Sequence, residues 1–271
     1  MTSSKNSIRD KFFKDSGSKK GKKTKNTSIY ILLIFIAIQL SPILFIQSTY
    51  EYFLGQGLSE ETALASTSGW LIFLTMGIGL LIALIVIFRD KQFFNIWKGK
   101  KPHVGWVILW GILGFLMLLI GQSLAALIEM ALGIDPGSEN TSTLVTIAEV
   151  APVAIFAVVI FGPIMEELVF RRVIFGTINQ VANFWIATAI SALVFAVVHW
   201  EFAHLLLYFT TGLILAFLYQ KTKSLLAPII AHMLLNGWVM LIQLNIDTIN
   251  RFIERMEQLE QTQFIFRLFF N

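Results

Sequence analysis

Two adjacent carboxylates and two adjacent guanidiniums interrupt one of the most apolar parts of this sequence. They belong to the stretch FGPIMEELVFRR, residues 161–172, which contains Glu166, Glu167, Arg171 and Arg172. Ionised side chains in apolar surroundings cost several kcal/mol each unless they are paired or hydrated. We therefore interpret the cluster as a candidate functional site. The alternative is a packing network, or a group of charges at the end of a membrane span.

Helical spacing predicts different roles for the two glutamates of this stretch. Glu167 and Arg171 lie four residues apart, on one face of a helix, and can form an ion pair. Glu166 points about 100° away from them, because an α-helix has 3.6 residues per turn. Gly162, one turn earlier, leaves room on that face for a second backbone or a substrate. The spacing predicts one neutralised carboxylate and one that is available for chemistry.

Two later apolar stretches carry the other candidate residues. FAVVHW places Phe195 and His199 one helical turn apart, and HMLLNG does the same for His232 and Asn236. A lone histidine in an apolar helix is more often a hydrogen-bonded core residue than a catalyst. Two histidines in the same membrane domain as an unpaired glutamate favour a shared site.

The depth of these residues in the helices supports their convergence. A turn is predicted near Asn183, with Glu166 lying 17 residues before it and His199 lying 16 after it. Antiparallel helices would bring the two to one level, where Glu166 could take a proton from a water that His199 orients. His232 and Asn236 can donate hydrogen bonds to an oxyanion. The chemistry indicated is amide hydrolysis inside a membrane.

Membrane-spanning helices are the elements that must position these side chains. The chain of 271 residues is 56% hydrophobic and 14% charged, and its apolar runs can cross a hydrocarbon core about 30 Å thick. The predicted fold is all-α: a polytopic transmembrane helix bundle of about seven spans. The spans are expected near residues 29–49, 69–88, 104–133, 146–178, 184–200, 204–220 and 225–245, with a kink at Gly162-Pro163 in the fourth.

The three motifs together resemble the signature of a known family. Their order on successive hydrophobic segments is similar to that of the CAAX protease and bacteriocin-processing (CPBP, or Abi) family, which includes the Rce1-like prenyl-protein endopeptidases. The match covers about residues 160–240. Its motifs here are Glu166-Glu167-x-x-x-Arg171, Phe195-x-x-x-His199 and His232-x-x-x-Asn236.

The resemblance implies a role for each motif residue. Glu166 would activate a water with His199, while Glu167 and Arg171 would support the site. The oxyanion would be stabilised by the third motif, His232 and Asn236. The implied activity is that of a glutamate-dependent intramembrane endopeptidase. Its implied substrate is a membrane-associated peptide or protein of the prenyl-protein, bacteriocin, pheromone or signal-peptide class.

Metal dependence stays open at this level. The family has been described both as metalloproteases and as metal-independent glutamate proteases, and Glu166, His199 and His232 would be a reasonable zinc set. The H-E-x-x-H helix that makes zinc the first choice is missing from the sequence. We therefore expect no cofactor, with zinc as the alternative. The chain has no cysteine, which excludes thiol catalysis.

Composition divides the chain into three parts. Residues 1–28 hold nine Lys or Arg and two Asp and are predicted to be a basic, disordered cytoplasmic tail near anionic lipid, with no nucleic-acid partner. Residues 29–245 are the transmembrane domain, with a protease-like core at about 146–245. Residues 246–271 form an amphipathic C-terminal segment. Basic loops at 89–101 and 221–223 agree with a cytoplasmic N-terminus in a bacterial plasma membrane.

Two further expectations complete the sequence-based hypothesis. Glu201 and His204 are expected in a loop between the fifth and sixth spans, solvated and without a catalytic role. The rival function is a membrane transporter, an immunity protein or a scaffold that uses the buried charges as a relay.

Overall fold

The computed structural model describes residues 19–97, 99–100 and 102–270, and the side chains of residues 23–259 within those ranges. The described residues form helices joined by short turns, and no β-strand occurs among them. The helices are α1 (Lys19–Leu40), α2 (Pro42–Gly55), α3 (Glu60–Phe88), α4 (Val104–Ala131), α5 (Glu139–Val150), α6 (from Ala154 to Val181), α7 (Phe184–Val197), α8 (Leu205–Thr222), α9 (Leu226–Gln243) and α10 (Ile246–Phe270), with a 3-10 turn at Phe202–His204.

The predicted all-α membrane bundle is confirmed. In the described part of the chain, five helical stretches are long and apolar enough to cross a bilayer: Lys23–Gly55, Glu60–Phe88, Val104–Ala131, Phe202–Thr222 and Leu226–Gln243. The fifth predicted span is the shorter apolar helix α7. Large apolar side chains such as Leu44, Phe88 and Trp185 are more than three-quarters exposed on the outside of the bundle. A surface of this kind is suited to lipid.

Two predicted boundaries were wrong. The fourth span does not begin at residue 146, because α5 ends at Val150 and the backbone leaves helical geometry at Ala151, directly before Pro152. The tail is not disordered up to residue 28, since residues 19–28 form the first turns of α1. Residues 1–18 of the predicted tail lie outside the described residues. The predicted C-terminal amphipathic segment is a helix, α10, and its apolar residues Phe252, Ile253, Met256 and Leu259 are exposed.

Helix α6, which carries the first motif, is irregular. Its α-helical segment Gly162–Glu166 lies between two π-helical segments, Ala157–Phe161 and Glu167–Phe175. Pro163 lies in the first turn of the middle segment, where its missing N–H costs least. π-Helical turns are rare and occur frequently at functional sites. Here the change of helix type falls between Glu166 and Glu167, and both residues keep right-handed helical backbone angles.

Small residues let the helices around the site approach closely. A Cβ atom built on Gly212 of α8 would lie 2.7 Å from the Cα of Ala192 on α7. A Cβ on Gly114 of α4 would lie 2.3 Å from Leu218 and 3.1 Å from Ala231, on α8 and α9. Close backbone approach at small residues is the usual packing mode between helices in lipid. Glycines therefore allow the close approach of α8 to α7 and of α4 to α8 and α9.

We expect Gly212→Ala to lower the thermal stability of the purified protein, because the new methyl group would meet backbone and not a flexible side chain. Overpacking of this kind costs about 1 to 3 kcal/mol. Gly55→Ala is the matched control, since no atom lies within 4 Å of a Cβ built there. The measurement is the melting temperature in detergent, followed by size-exclusion chromatography. Equal melting temperatures for the two variants would contradict the tight α7–α8 contact.

Candidate active site

Glu167 is the centre of a buried charge cluster. Its Oε2 lies 3.1 Å from Nε of Arg171, and both side chains have 0% exposure. Its Oε1 lies 3.0 Å from Nδ1 of His232. A carboxylate only accepts, so the imidazole donates from Nδ1–H. The Glu167–Arg171 pair predicted from helical spacing is confirmed, and it also holds a histidine from a helix 65 residues further along the chain.

Arg171 is held by charge and by an aromatic ring. None of its three guanidinium nitrogens has a hydrogen-bonding acceptor among the described residues, so its contact with Glu167 is ionic without hydrogen-bond alignment. The guanidinium carbon lies 4.5 Å from the centroid of the Phe195 ring. A cation over an aromatic face is attracted by the ring quadrupole, most strongly in a desolvated site. Phe195 therefore joins α7 to the charged face of α6.

Glu166 differs from Glu167 in being partly exposed and in pairing with no arginine among the described residues. Its side chain is 19% exposed, and its Oε2 lies 3.8 Å from Nε2 of His232. That separation is too long for a hydrogen bond, and Oε2 has no hydrogen-bonding partner among the described residues. Gly162 faces this carboxylate, since a Cβ built there would lie 3.6 Å from Oε1. The imidazole of His232 thus lies beside both glutamates, with one nitrogen towards each.

His199 lies just past the end of α7, with its ring orientation defined by neighbours. Its Nδ1 is 2.7 Å from the backbone carbonyl oxygen of Phe195. Because a carbonyl only accepts, Nδ1 carries the proton, and Nε2 bears a lone pair in the neutral ring. The imidazole lies within electrostatic range of Glu166, His232 and Arg171. The structure therefore brings the first and second motifs near each other, as the contact of Arg171 with the Phe195 ring also shows.

Asn236 is partly engaged by the bundle itself. Its side-chain amide donates a hydrogen bond of 2.9 Å to the carbonyl oxygen of Val158, in the first π-helical segment of α6. An asparagine amide has two hydrogens, so one donor remains after this bond. Asn236 lies one turn from His232 on α9, and its bond to Val158 ties that helix to α6.

Arg172, the fourth charge of the opening motif, lies outside this cluster. Its Nε donates to the carbonyl oxygen of Phe93, and its guanidinium lies 4.3 Å from the centroid of the Phe93 ring. It is 1% exposed. The structure thus gives Arg172 a packing role that fastens the loop after α3 against α6.

The loop position expected for Glu201 and His204 is confirmed by the turn between α7 and α8, but the expectation that His204 is solvated was wrong. His204 is buried, with Nδ1 2.8 Å from Oε2 of Glu129, whose other oxygen accepts from the backbone N–H of Leu207. Glu201 is half-buried and accepts hydrogen bonds from Ser138 and Tyr208. Glu129 could have been found from the sequence, because it is the one charged residue in the apolar run of residues 104–131 and requires a partner.

Tyr208 was not predicted to belong to the site, because no local sequence pattern marks it. The ring of Tyr208 stacks on the imidazole of His199, with centroids 4.2 Å apart and planes 24° apart. Its sequence environment, LLLYFTTG, is that of any aromatic residue in a membrane span. Only the packing of α8 against α7 reveals that it contacts a candidate catalytic histidine.

The zinc alternative requires Glu166, His199 and His232 to surround one metal ion. In the described residues, no three His, Asp or Glu side chains are gathered into a metal-ligand set. Glu166 and His232 approach to 3.8 Å, but His199 does not complete a set with them.

The chain is similar to known proteins along most of its length. The family model for the type II CAAX prenyl endopeptidase Rce1-like proteins matches residues 148–238, which include all three motifs. The "Putative membrane peptidase YdiL" of Bacillus subtilis (strain 168) is 34% identical over 238 residues, which are 87% of this chain and 95% of the relative. No solved structure matches the chain.

A second relative extends the similarity beyond the motif region. The "Membrane-embedded CAAX protease MroQ" of Staphylococcus aureus (strain USA300) is 34% identical over 254 residues, covering 89% of this chain and 97% of the relative. Similarity of this extent shows common descent of the whole membrane domain. The chain belongs to the family of Rce1-like CAAX proteases and is an integral membrane protease.

Proposed function

We propose that the protein is a glutamate-dependent intramembrane endopeptidase in which Glu166 is the general base. The observation that carries this proposal is the partly exposed carboxylate of Glu166, which pairs with no arginine among the described residues and whose Oε2 lies 3.8 Å from an imidazole nitrogen. Glu167 cannot take that role, because Arg171 and His232 contact its oxygens. Glu166 is also the more exposed of the two side chains, at 19% against 0%.

In the first chemical step a water attacks the scissile carbonyl carbon while its proton passes to Glu166. His199 contributes through Nε2, whose lone pair can accept from the same water and orient it. When the tetrahedral intermediate collapses, the C–N bond breaks and the protonated Glu166 returns its proton to the leaving amine. Glu166 and His199 must both contact the same water, and the two side chains lie within electrostatic range of each other.

His232 and Asn236 are proposed to stabilise the oxyanion. Because Nδ1–H of His232 is committed to Glu167, the hydrogen bond to substrate must come from Nε2–H, which requires the doubly protonated ring. Glu167 thus acts on the reaction through His232. Asn236 would supply its second amide hydrogen.

The substrate proposed is a peptide bond of a membrane-associated protein or peptide, of the prenyl-protein, bacteriocin, pheromone or signal-peptide class. The bilayer itself confines such substrates to the plane in which Glu166 lies. We further propose that the protein resides in a bacterial plasma membrane with its N-terminus in the cytoplasm. The basic residues near the N-terminus and in the loop after α3 support this orientation.

We expect Glu166→Gln to abolish cleavage and leave the fold intact, because the amide keeps the shape of the carboxylate but cannot accept the proton. The experiment compares membrane peptides and small secreted peptides, by mass spectrometry, from cells that express wild type, Glu166→Gln or the exposed control Glu61→Gln. Peptides that disappear only in Glu166→Gln identify the substrate. Identical peptide sets for all three, across growth conditions, would favour the transporter, immunity or scaffold alternative.

Removing Arg171 should damage the fold as well as the activity. Arg171→Ala leaves Glu167 buried without its cation, a change that costs about 3 to 5 kcal/mol. We therefore expect a lower folded yield and melting temperature than for Glu166→Gln. Arg251→Ala is the control, because Arg251 is exposed on α10. A wild-type yield for Arg171→Ala would show that the buried pair does not stabilise the fold.

The metal-free mechanism predicts full activity after chelation. Purified protein treated with a strong chelator should keep its cleavage rate, and elemental analysis should find far less than one zinc per chain. A stoichiometric metal whose removal and return switch cleavage off and on would overturn this part of the proposal and support the zinc set.

A further inference from the structure

The imidazole of His199 is contacted by two aromatic rings. The Phe195 ring lies 4.7 Å away at 55°, and the Tyr208 ring is stacked at 4.2 Å and 24°. The bond from Nδ1 to the Phe195 carbonyl fixes one edge of the imidazole. Rotation of the imidazole plane about that edge would be opposed by the stacked Tyr208 ring. Tyr208 therefore restricts the direction in which Nε2 of His199 points.

Tyr208 is itself held by hydrogen bonds at its hydroxyl group. The hydroxyl lies 2.8 Å from Oε2 of Glu201, and the hydroxyl of Ser138 lies 2.7 Å from the same oxygen. Ser138 is also the N-cap residue of α5, where its Oγ accepts from the backbone N–H of Thr141. This chain of contacts, Ser138–Glu201–Tyr208–His199, joins the start of α5 to the candidate active site.

The charge of Glu201 makes the direction of these bonds definite. Burial raises the pKa of its carboxyl group, but hydrogen bonds from Ser138 and Tyr208 and the nearby backbone N–H groups of Glu139 and Asn140 outweigh it. The resulting pKa lies below the ordinary value, so the group is ionised at neutral pH. An ionised carboxylate only accepts, and both hydroxyls therefore donate to it. Hydrogen bonds to a charged acceptor are the stronger kind.

A strained turn brings the members of this chain together. Trp200, between His199 and Glu201, has a φ of +57°, a left-handed conformation that is uncommon for a residue other than glycine. The turn lets His199 and Glu201 approach the same side chain of the following helix. One turn beyond Tyr208, Gly212 lies against Ala192 of α7. The close approach of α7 and α8 thus keeps the Tyr208 ring packed against the imidazole of His199.

We propose that Tyr208 is a positioning residue for His199, and that Glu201 and Ser138 hold its ring in the stacked orientation. The proposal rests on the catalytic role proposed for His199. In the reaction, Nε2 of His199 and the carboxylate of Glu166 must meet one water, so a small rotation of the imidazole would slow the chemical step. The contacts act on the orientation of His199 and do not involve substrate. They should therefore affect kcat and leave KM nearly unchanged.

The first test reads the imidazole directly and needs no substrate. The chain has four histidines, so selective nitrogen-15 labelling of histidine gives a small spectrum, in which His199→Gln identifies the signals of residue 199. In wild type we expect one set of signals, with the proton on Nδ1. Tyr208→Leu should give mixed tautomers or broadened signals. Tyr52→Leu, at an exposed tyrosine of α2, is the control and should leave the spectrum unchanged.

The second test isolates the hydrogen bond from the ring. Tyr208→Phe and Glu201→Ala both break the Tyr208–Glu201 bond and keep the two rings. If both substitutions affect His199 only by breaking this bond, kcat of the double variant should be no lower than kcat of the less active single variant. On the peptide identified with Glu166→Gln, we expect kcat to fall about threefold in each of the three, and about tenfold or more in Tyr208→Leu. KM should stay within about twofold.

The outcomes separate the two proposals. If wild type cleaves no peptide but the histidine spectrum changes as expected, the protease mechanism fails while the positioning contact stands. If Tyr208→Leu does not fold, Tyr208→Phe and Glu201→Ala decide, since both preserve the packed ring. Unchanged His199 signals in these two variants, or losses in kcat that simply multiply in the double variant, would overturn the positioning role.

Discussion

The contact of the Glu167 carboxylate with both Arg171 and His232 is the interaction on which the site depends. All three side chains are removed from solvent, and in a membrane domain a charge without a partner is expensive. The need to satisfy them forces α6 and α9 into contact. Because Arg171 also lies over the Phe195 ring, α7 is drawn to the same face. One buried cluster thus brings the three motifs of the sequence to one place.

The same cluster explains why neighbouring glutamates differ. Glu167 is committed to balancing the charge of Arg171, whereas Glu166, one residue earlier, is partly exposed and pairs with no arginine among the described residues. Both residues have right-handed helical backbone angles, so the difference lies in their surroundings and not in the backbone. The arginine-paired carboxylate and the proposed general base lie on either side of a single imidazole, that of His232.

Much of this arrangement was predictable because it depends on local spacing. Glu167 and Arg171 are four residues apart, and such neighbours meet on any helix. The turn at Asn183, from which the position of His199 relative to Glu166 was predicted, is observed, and Asn183 caps α7. The break before Pro152 was also readable, since proline disfavours helix in the residue before it. The π-helical segments were not predicted, because the sequence has no local pattern that specifies them.

By itself, the sequence determined the membrane setting, the helical class and the residue types that carry chemistry, because apolar run length and short-range spacing are properties of the chain alone. The tertiary structure decided which nitrogen of His232 faces which glutamate, and that Tyr208 stacks on His199. It also decided the pairing of Glu129 with His204, which lie 75 residues apart. Contacts over such separations depend on how each helix is rotated and how closely glycines such as Gly212 allow helices to approach. That rotation is set by the packing of the whole bundle.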